Sequence, residues 1–326
     1  MAMHRLQMRA LRTLTAAAAV LAALTAAQDA QACSSCGCTL SSNWGAQGEG
    51  MDNGFMFDLR FDYFNQDDLR AGSHDVNRAD LSVPNDREIQ QTTINRNYTA
   101  DLDYTSGSFG VNVQVPWFDR YHTTIAPGDS EVSTSHSKSI GDVRVVGRYT
   151  GLTDDHSIGL QAGLKFATGP FDETFYAGPQ AGEPVDRGLQ PGTGTTDLLL
   201  GAYNFGSLSR DWDYFAEGLL QVPLNTRDGF KPGAGVNVNA GFRYMSFEHV
   251  VPQIQLNVRS EERESGANAD IDNSGATLVY LSPGITAHLS QDWRAYAFFQ
   301  VPVYQRVNGL QLEPRYTISV GVSLGM

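Results

Sequence analysis

Three residues of this chain have the types and the spacing to do chemistry on their own. They are Cys33, Cys36 and Cys38, in the run Cys33-Ser-Ser-Cys36-Gly-Cys38, and they are all the cysteines in 326 residues. Thiolates are soft ligands, and three at this spacing could close on one copper(I) or zinc ion. Two of them could instead form a disulfide in an oxidising compartment, leaving one thiol over. Cys33 could also carry a lipid, although Ala30 stands where a lipoprotein signal usually has leucine. Beyond copper or zinc at this cluster, no cofactor is expected.

The rest of the chain offers little for catalysis. None of the seven histidines stands in the H-x-x-x-H spacing of a helical metal site. There is no Gly-x-Ser-x-Gly elbow and no Gly-x-x-x-x-Gly-Lys phosphate loop. Ser282 and His288 could share one strand face. Six residues at about 3.3 Å each would set them roughly 20 Å apart, too far to react. An enzyme is not expected.

The element that carries the cysteines reads as an export leader. Arg5, Arg9 and Arg12 precede an apolar run, 15–27, and Ala30-Gln-Ala32 has the small-x-small form of a cleavage site. Residues 1–32 are therefore expected to be a signal peptide, 33–54 a periplasmic leader holding the cysteines, and 55–326 the body of the protein. Removing 1–32 takes away three arginines and one aspartate, so the net charge moves from −13 to −15. An acidic surface repels phosphates, which argues against nucleic acid as a partner. No later run is long and apolar enough for a membrane helix.

The body instead alternates. Phe55, Phe57, Leu59, Phe61 and Tyr63 fall on one face of an extended segment, and Asp58, Arg60 and Asp62 on the other. Either a soluble sandwich or a membrane barrel could use such a strand. The pattern predicts about twelve strands: 55–64, 92–104, 109–116, 140–150, 156–167, 196–205, 213–223, 234–245, 251–260, 276–288, 294–302 and 316–325. The connections between them take turns, short then long, as in membrane barrels with tight periplasmic turns and larger extracellular loops. Gln-Val-Pro closes three of the strands, at 114–116, 221–223 and 300–302, each just before a long loop. Proline lacks the N–H a ladder needs, so it belongs at strand ends.

The fold expected is an all-β antiparallel outer-membrane barrel of a Gram-negative cell, with both termini in the periplasm. Its partners would be outer-membrane lipid, the barrel-assembly machinery that reads the last strand, and a small organic solute. Taking the polar face inward, the expected lumen residues are Asp58, Arg60, Asp62, Asp101, Asp103, Arg144, Arg148, Lys165, Glu217, Gln221, Arg243, Gln255 and Arg259. Register with Gln221 and Gln300 adds Tyr296, Phe298 and Gln300 itself. Large apolar groups sharing the lumen with charges suggest passive uptake of a hydrophobic or aromatic solute. The competing expectation is a non-transporting barrel in which the cysteine leader is the active part, as a soft-metal, redox or interaction element.

Several short motifs occur in a familiar order: Gly141-Asp142-Val143, Gly163-Leu-Lys165-Phe-Ala-Thr-Gly169, Pro191-Gly-Thr-Gly194-Thr-Thr-Asp197, Asn273-Ser-Gly275, Leu281-Ser-Pro283-Gly284, and Gln300-Val-Pro-Val-Tyr-Gln305 followed by Asn308-Gly309. In these the chain resembles the outer-membrane proteins of the meta-pathway of phenol degradation. The resemblance covers roughly residues 140–326 and rests on turn and strand-end signatures. It implies a transporter-like barrel and uptake of aromatic compounds. The cysteine leader is not part of it.

Overall fold

A computed structural model describes residue 40, residues 43–49 and residues 53–326. The expected signal peptide and Cys33, Cys36 and Cys38 lie outside the described residues. The described chain is all-β, with 3-10 turns at Gly45–Gln47, Arg78–Asp80 and Arg187–Leu189 and no α-helix. In chain order the strands are β1 (Gly54–Gly72), β2 (His74–Asp75), β3 (Ile89–Ser106), β4 (Phe109–Ile125), β5 (Ser133–Ile140), β6 (Val143–Tyr149) and β7 (Ile158–Phe166). They continue as β8 (Asp197–Ser207), β9 (Trp212–Pro223), β10 (Gly235–Tyr244), β11 (Val250–Glu261), β12 (Ala276–His288) and β13 (Trp293–Gly325).

Eleven of these strands close into an antiparallel ring, in the order β1, β3, β4, β6 to β13 and back to β1. β2 and β5 lie outside it, paired with the ends of β1 and β4. Twelve ring strands were expected, and the difference lies in β13. Its first half pairs with β12 (Val307↔Ala276 to Arg294↔His288) and its second half with β1 (Gly325↔Met56 to Leu310↔Ala71). A ring in which every neighbour is antiparallel needs an even number of passes, so the two halves of β13 must run in opposite directions. The chain reverses at Asn308-Gly309, where Gly309 takes φ +56°. Most residues avoid that conformation and glycine adopts it freely.

Several strands run past their expected ends. β1 was expected to stop at 64 and continues to Gly72, β4 passes 116 to reach Ile125, and β13 absorbs the expected loop 303–315. Hydrogen-bonded ribbon does not end where the apolar alternation ends, so reading strand limits from greasy residues cut these strands short. The short connections remain tight, and the other long ones remain long.

Which face points where separates a barrel of this kind from a sandwich. Phe57 is 38% exposed on the outside, while its neighbour Asp58 is 2% exposed on the inside. Aromatic pairs cross strands on the outer surface near the short turns, Phe55 with Tyr104 and Phe109 with Tyr149. Others sit nearer the long loops, Phe61 with Tyr98 and Phe299 with Tyr316. An apolar band edged by aromatic rings is the surface a barrel presents to lipid.

Candidate functional site

Turning the polar face inward puts charges and amides inside the ring. Two inserts divide that space and leave a chamber of about 300 Å³ between them.

The first insert enters at the short-turn end. Residues 43–49 form a 3-10 turn inside the ring. Trp44 is buried, its indole N–H donates to Asp58 Oδ2 (3.3 Å), and its ring meets Tyr296 edge-on at 4.8 Å. Glu49 accepts from Arg243 through one oxygen and from Arg294 through the other, both at 2.5 Å. Arg243 also donates to the carbonyl of Gln47, and Asn43 donates to Glu217 Oε1 (3.1 Å). Arg60 reaches the carbonyl of Leu40. Gly48 ends the turn at φ +80°, and a methyl there would fall 2.5 Å from the Phe205 ring. Residues 43–49 of the segment 33–54, expected to be a leader, lie inside one end of the ring.

The second insert is the connection from β7 to β8, whose segment 187–193 folds over the chamber. Its anchor is Asp142, in the break between β5 and β6. The Asp142 carboxylate accepts from Lys165 Nζ (2.9 Å), from the backbone N–H groups of Gly169 and Thr193, and from the Thr193 hydroxyl. Lys165 also lies 3.1 Å from Asp197, which accepts from Thr195 and Gln221. The Thr168 hydroxyl bonds the carbonyl of Gly141 and receives Val143 N–H. Three sequence motifs that read as separate turn signatures therefore meet at one buried node. Farther out, the Arg187 guanidinium is stacked between Phe171 and Phe230, 4.6 Å from each ring centre.

Electrostatics at the long-loop end are strained. Burial pushes the half-buried Glu88 carboxyl up to about 7, and nearby Asp186 and Asp270 add to the rise. Asp186, which caps the turn at Arg187–Leu189, is raised for the same two reasons, burial first and then Asp270.

The expected lumen residues divide into two groups. Arg60, Asp62, Asp101, Arg144, Lys165, Glu217, Gln221 and Arg259 line the chamber. Asp58, Asp103, Arg148, Arg243, Gln255, Tyr296, Phe298 and Gln300 are buried inside the ring but away from it. Of these, Asp58, Arg243 and Tyr296 hold the plug, and Phe298 packs with Leu40, Trp44, Met56 and Tyr296. Arg148 is paired with Asp103 and abuts Gly45. Gln300 donates to Ser319, which donates to Asp62, and Gln255 accepts from Asn257. β12 and β13 contribute nothing to the chamber lining, because their inner face is filled by Leu278, Tyr280 and Val307 and by the plug.

Residues the sequence reading passed over include Asn97, Asn112, Gln114, Asn237 and Asn239 in the wall and Gln190 in the second insert. The wall amides stand at inward positions of the same alternation as the expected Gln221. The plug carried one weak signal, a tryptophan in an otherwise Ser-, Gly- and Asn-rich stretch. Among the described residues no group of three or more His, Cys, Asp or Glu side chains is placed to hold a metal ion.

No protein-family model and no curated protein matches the chain. Among solved structures, an outer membrane channel from Pseudomonas putida F1 matches with a TM-score of 0.65 at 10% identity, over 88% of this chain and 99% of that one. The beta domain of the Bordetella autotransporter BrkA (TM-score 0.46, 15% identity, 84% and 100%) is less similar. So is the toluene transporter TodX of Pseudomonas putida (0.41, 11%, 91% and 96%). The first likeness is one of fold; the other two carry no argument.

Proposed function

We propose that this protein is an outer-membrane channel for small organic solutes, closed at its periplasmic mouth by its own N-terminal segment. The chamber carries the reading: a space lined by charged, carboxamide and apolar side chains, inside a closed ring whose outside is apolar, bounded by one insert at each end. The apolar exterior suits lipid, and a polar interior suits passage across it. The fold likeness to the Pseudomonas putida F1 channel supports the same reading. Residues 1–32 then serve as the export signal, the short turns and both termini lie in the periplasm, and the long loops face outward. The assembly machinery reads the last strand, which pairs with β1 to close the ring.

The resemblance to the phenol meta-pathway proteins would make the passenger aromatic. Tyr296 and Phe298, the rings that suggested a hydrophobic passenger, are packed beside Trp44 and do not face the chamber. The class of solute therefore rests on the chamber lining itself.

Planar-bilayer recording tests the proposal, on the mature chain and on a variant lacking residues 43–49. The expected result is a small, intermittent current for the full chain and a larger, steady one for the variant. Equal currents would remove the plug from the proposal; no current from either protein would remove the channel.

A second reading gives the leader control of the plug. Cys38 precedes Leu40 by two residues, and the Leu40 carbonyl is bonded by Arg60 at the chamber wall. A copper or zinc ion, or a disulfide, at Cys33, Cys36 and Cys38 would then bias plug release. Metal analysis of the mature protein, with Cys36→Ser as control, checks the site, and current recorded with and without reductant checks the coupling. A current indifferent to both ends this reading.

A further inference from the structure

The chamber lining mixes apolar side chains such as Leu199 and Leu219 with an equal number of carboxamides. Nine of its residues carry a side-chain carboxamide, contributed by the plug, the wall and the inserted loop alike. Each carboxamide presents two donors and an acceptor oxygen without net charge. The ionisable side chains balance in number, six basic against six acidic. Several are already paired: Arg60 with Asp62 at 2.8 Å, Lys165 with Asp142 at 2.9 Å, and Arg259 with Glu261. An ion entering this space would give up water and find no net countercharge to replace it.

Aromatic surface is scarce and occupied. Phe118 has the Arg120 guanidinium over its ring at 5.5 Å, and Phe230 has that of Arg187 at 4.6 Å. An aromatic solute would have to displace a guanidinium to stack on either.

We infer that the chamber selects small neutral solutes rich in hydroxyl groups, of the polyol or monosaccharide class, over apolar aromatics and over ions of either sign. This rests on the channel reading proposed above. A hydroxyl donates and accepts at once, as a carboxamide does, so such a solute can exchange its water for wall contacts nearly one for one. A solute without hydroxyls leaves the wall groups unpaired, and a site built on hydrogen bonds rejects it for that reason. A volume of about 300 Å³ is at the small end for organic-ligand sites, which suits a single ring rather than a chain of them.

The test has two arms on the refolded full chain. Liposome swelling compares erythritol and glucose with sodium benzoate, and single-channel recording compares block of the potassium chloride current by glucose and by phenol. The expected result is faster polyol than benzoate influx, and block by glucose at lower concentration than by phenol. The double variant Asn97→Leu/Asn112→Leu should slow polyol influx about fivefold more than it slows the salt current, the factor one lost hydrogen bond is worth. Should that variant fail to fold, the ranking of solutes by the unmodified chain decides alone. Influx ordered by size only, faster benzoate entry, or stronger block by phenol overturns the solute class and leaves the channel standing. No influx and no current, in the chain lacking residues 43–49 as well, overturns the channel reading and the class with it.

Discussion

The segment at the short-turn end and the loop at the long-loop end bound the same chamber, and they are attached in different ways. Among the described residues the plug has a ring strand on its C-terminal side only, β1. Mostly side chains hold it to the wall, Trp44 to Asp58 and Tyr296, Glu49 to Arg243 and Arg294, Asn43 to Glu217, with the backbone carbonyls of Gln47 and Leu40 accepting from Arg243 and Arg60. The inserted loop continues into a strand at both ends, and two of its backbone N–H groups end on the Asp142 carboxylate. Gly169 and Gly192 also approach so closely that a methyl on either would meet the other's backbone. A segment tied by side chains can leave without unmaking the sheet. A segment tied by backbone and a buried ion node cannot. In the proposed channel the plug is therefore the closure expected to move and the loop the one expected to stay.

The most severe way to break this contrast is Asp142→Ala. The change strips an acceptor from four donors and leaves buried Lys165 with Asp197 as its one carboxylate partner beside the Thr193 hydroxyl. Breaking a buried charge node by removing one partner costs roughly 3–5 kcal/mol. Urea unfolding in lipid vesicles should show that loss, and protease should newly cut within 168–195. A loss under about 1 kcal/mol, the worth of a single ordinary hydrogen bond, would mean the loop is held elsewhere.

Glu49→Gln should do the opposite. Its two charge-assisted bonds join the plug to Arg243 and Arg294 of the wall and lie outside the strand ladder. Losing about 2 kcal/mol of plug attachment raises the unplugged population roughly thirtyfold. The open fraction in single-channel records should rise accordingly while the urea midpoint stays put. A shifted midpoint with no change in opening would make the plug part of the fixed structure, and the contrast between the two closures would fail.

Legibility in the sequence follows the same division. The ring was readable because alternation repeats along every strand, as in β1 and β10, and because turn lengths sort by end. The ion node was half readable. Gly141-Asp142, Lys165, Thr193 and Asp197 stood out as motifs, but nothing in one dimension says that residues 23 to 51 positions from Asp142 share its carboxylate. The plug was nearly invisible, since a single short turn has no periodicity and its partners, Asp58, Arg243 and Tyr296, looked like lumen residues for equally good reasons. The same wall positions can face a passage or grip a plug, and only the tertiary contact separates the two.

The mildest test concerns the fixed closure alone. Glu88 and Asp186 sit beside Asp270 at its outer edge, with carboxyls raised, that of Glu88 to about 7, chiefly by burial. A raised carboxylate pKa means the folded state holds its proton longer than the unfolded chain does. Stability is then greatest below the ordinary carboxylate range and falls as pH rises toward about 7, where the deficit levels off. Hydrogen exchange in 78–88 and 183–190, corrected for intrinsic rates, should therefore show protection about tenfold higher at pH 5 than at pH 8. Glu88→Gln removes the titrating group and should flatten most of that difference. The plug carries its charge on Glu49, paired with two arginines, and its exchange should not follow the same curve; if residues 43–49 loosen in step with the loop, the two closures move together and are one device.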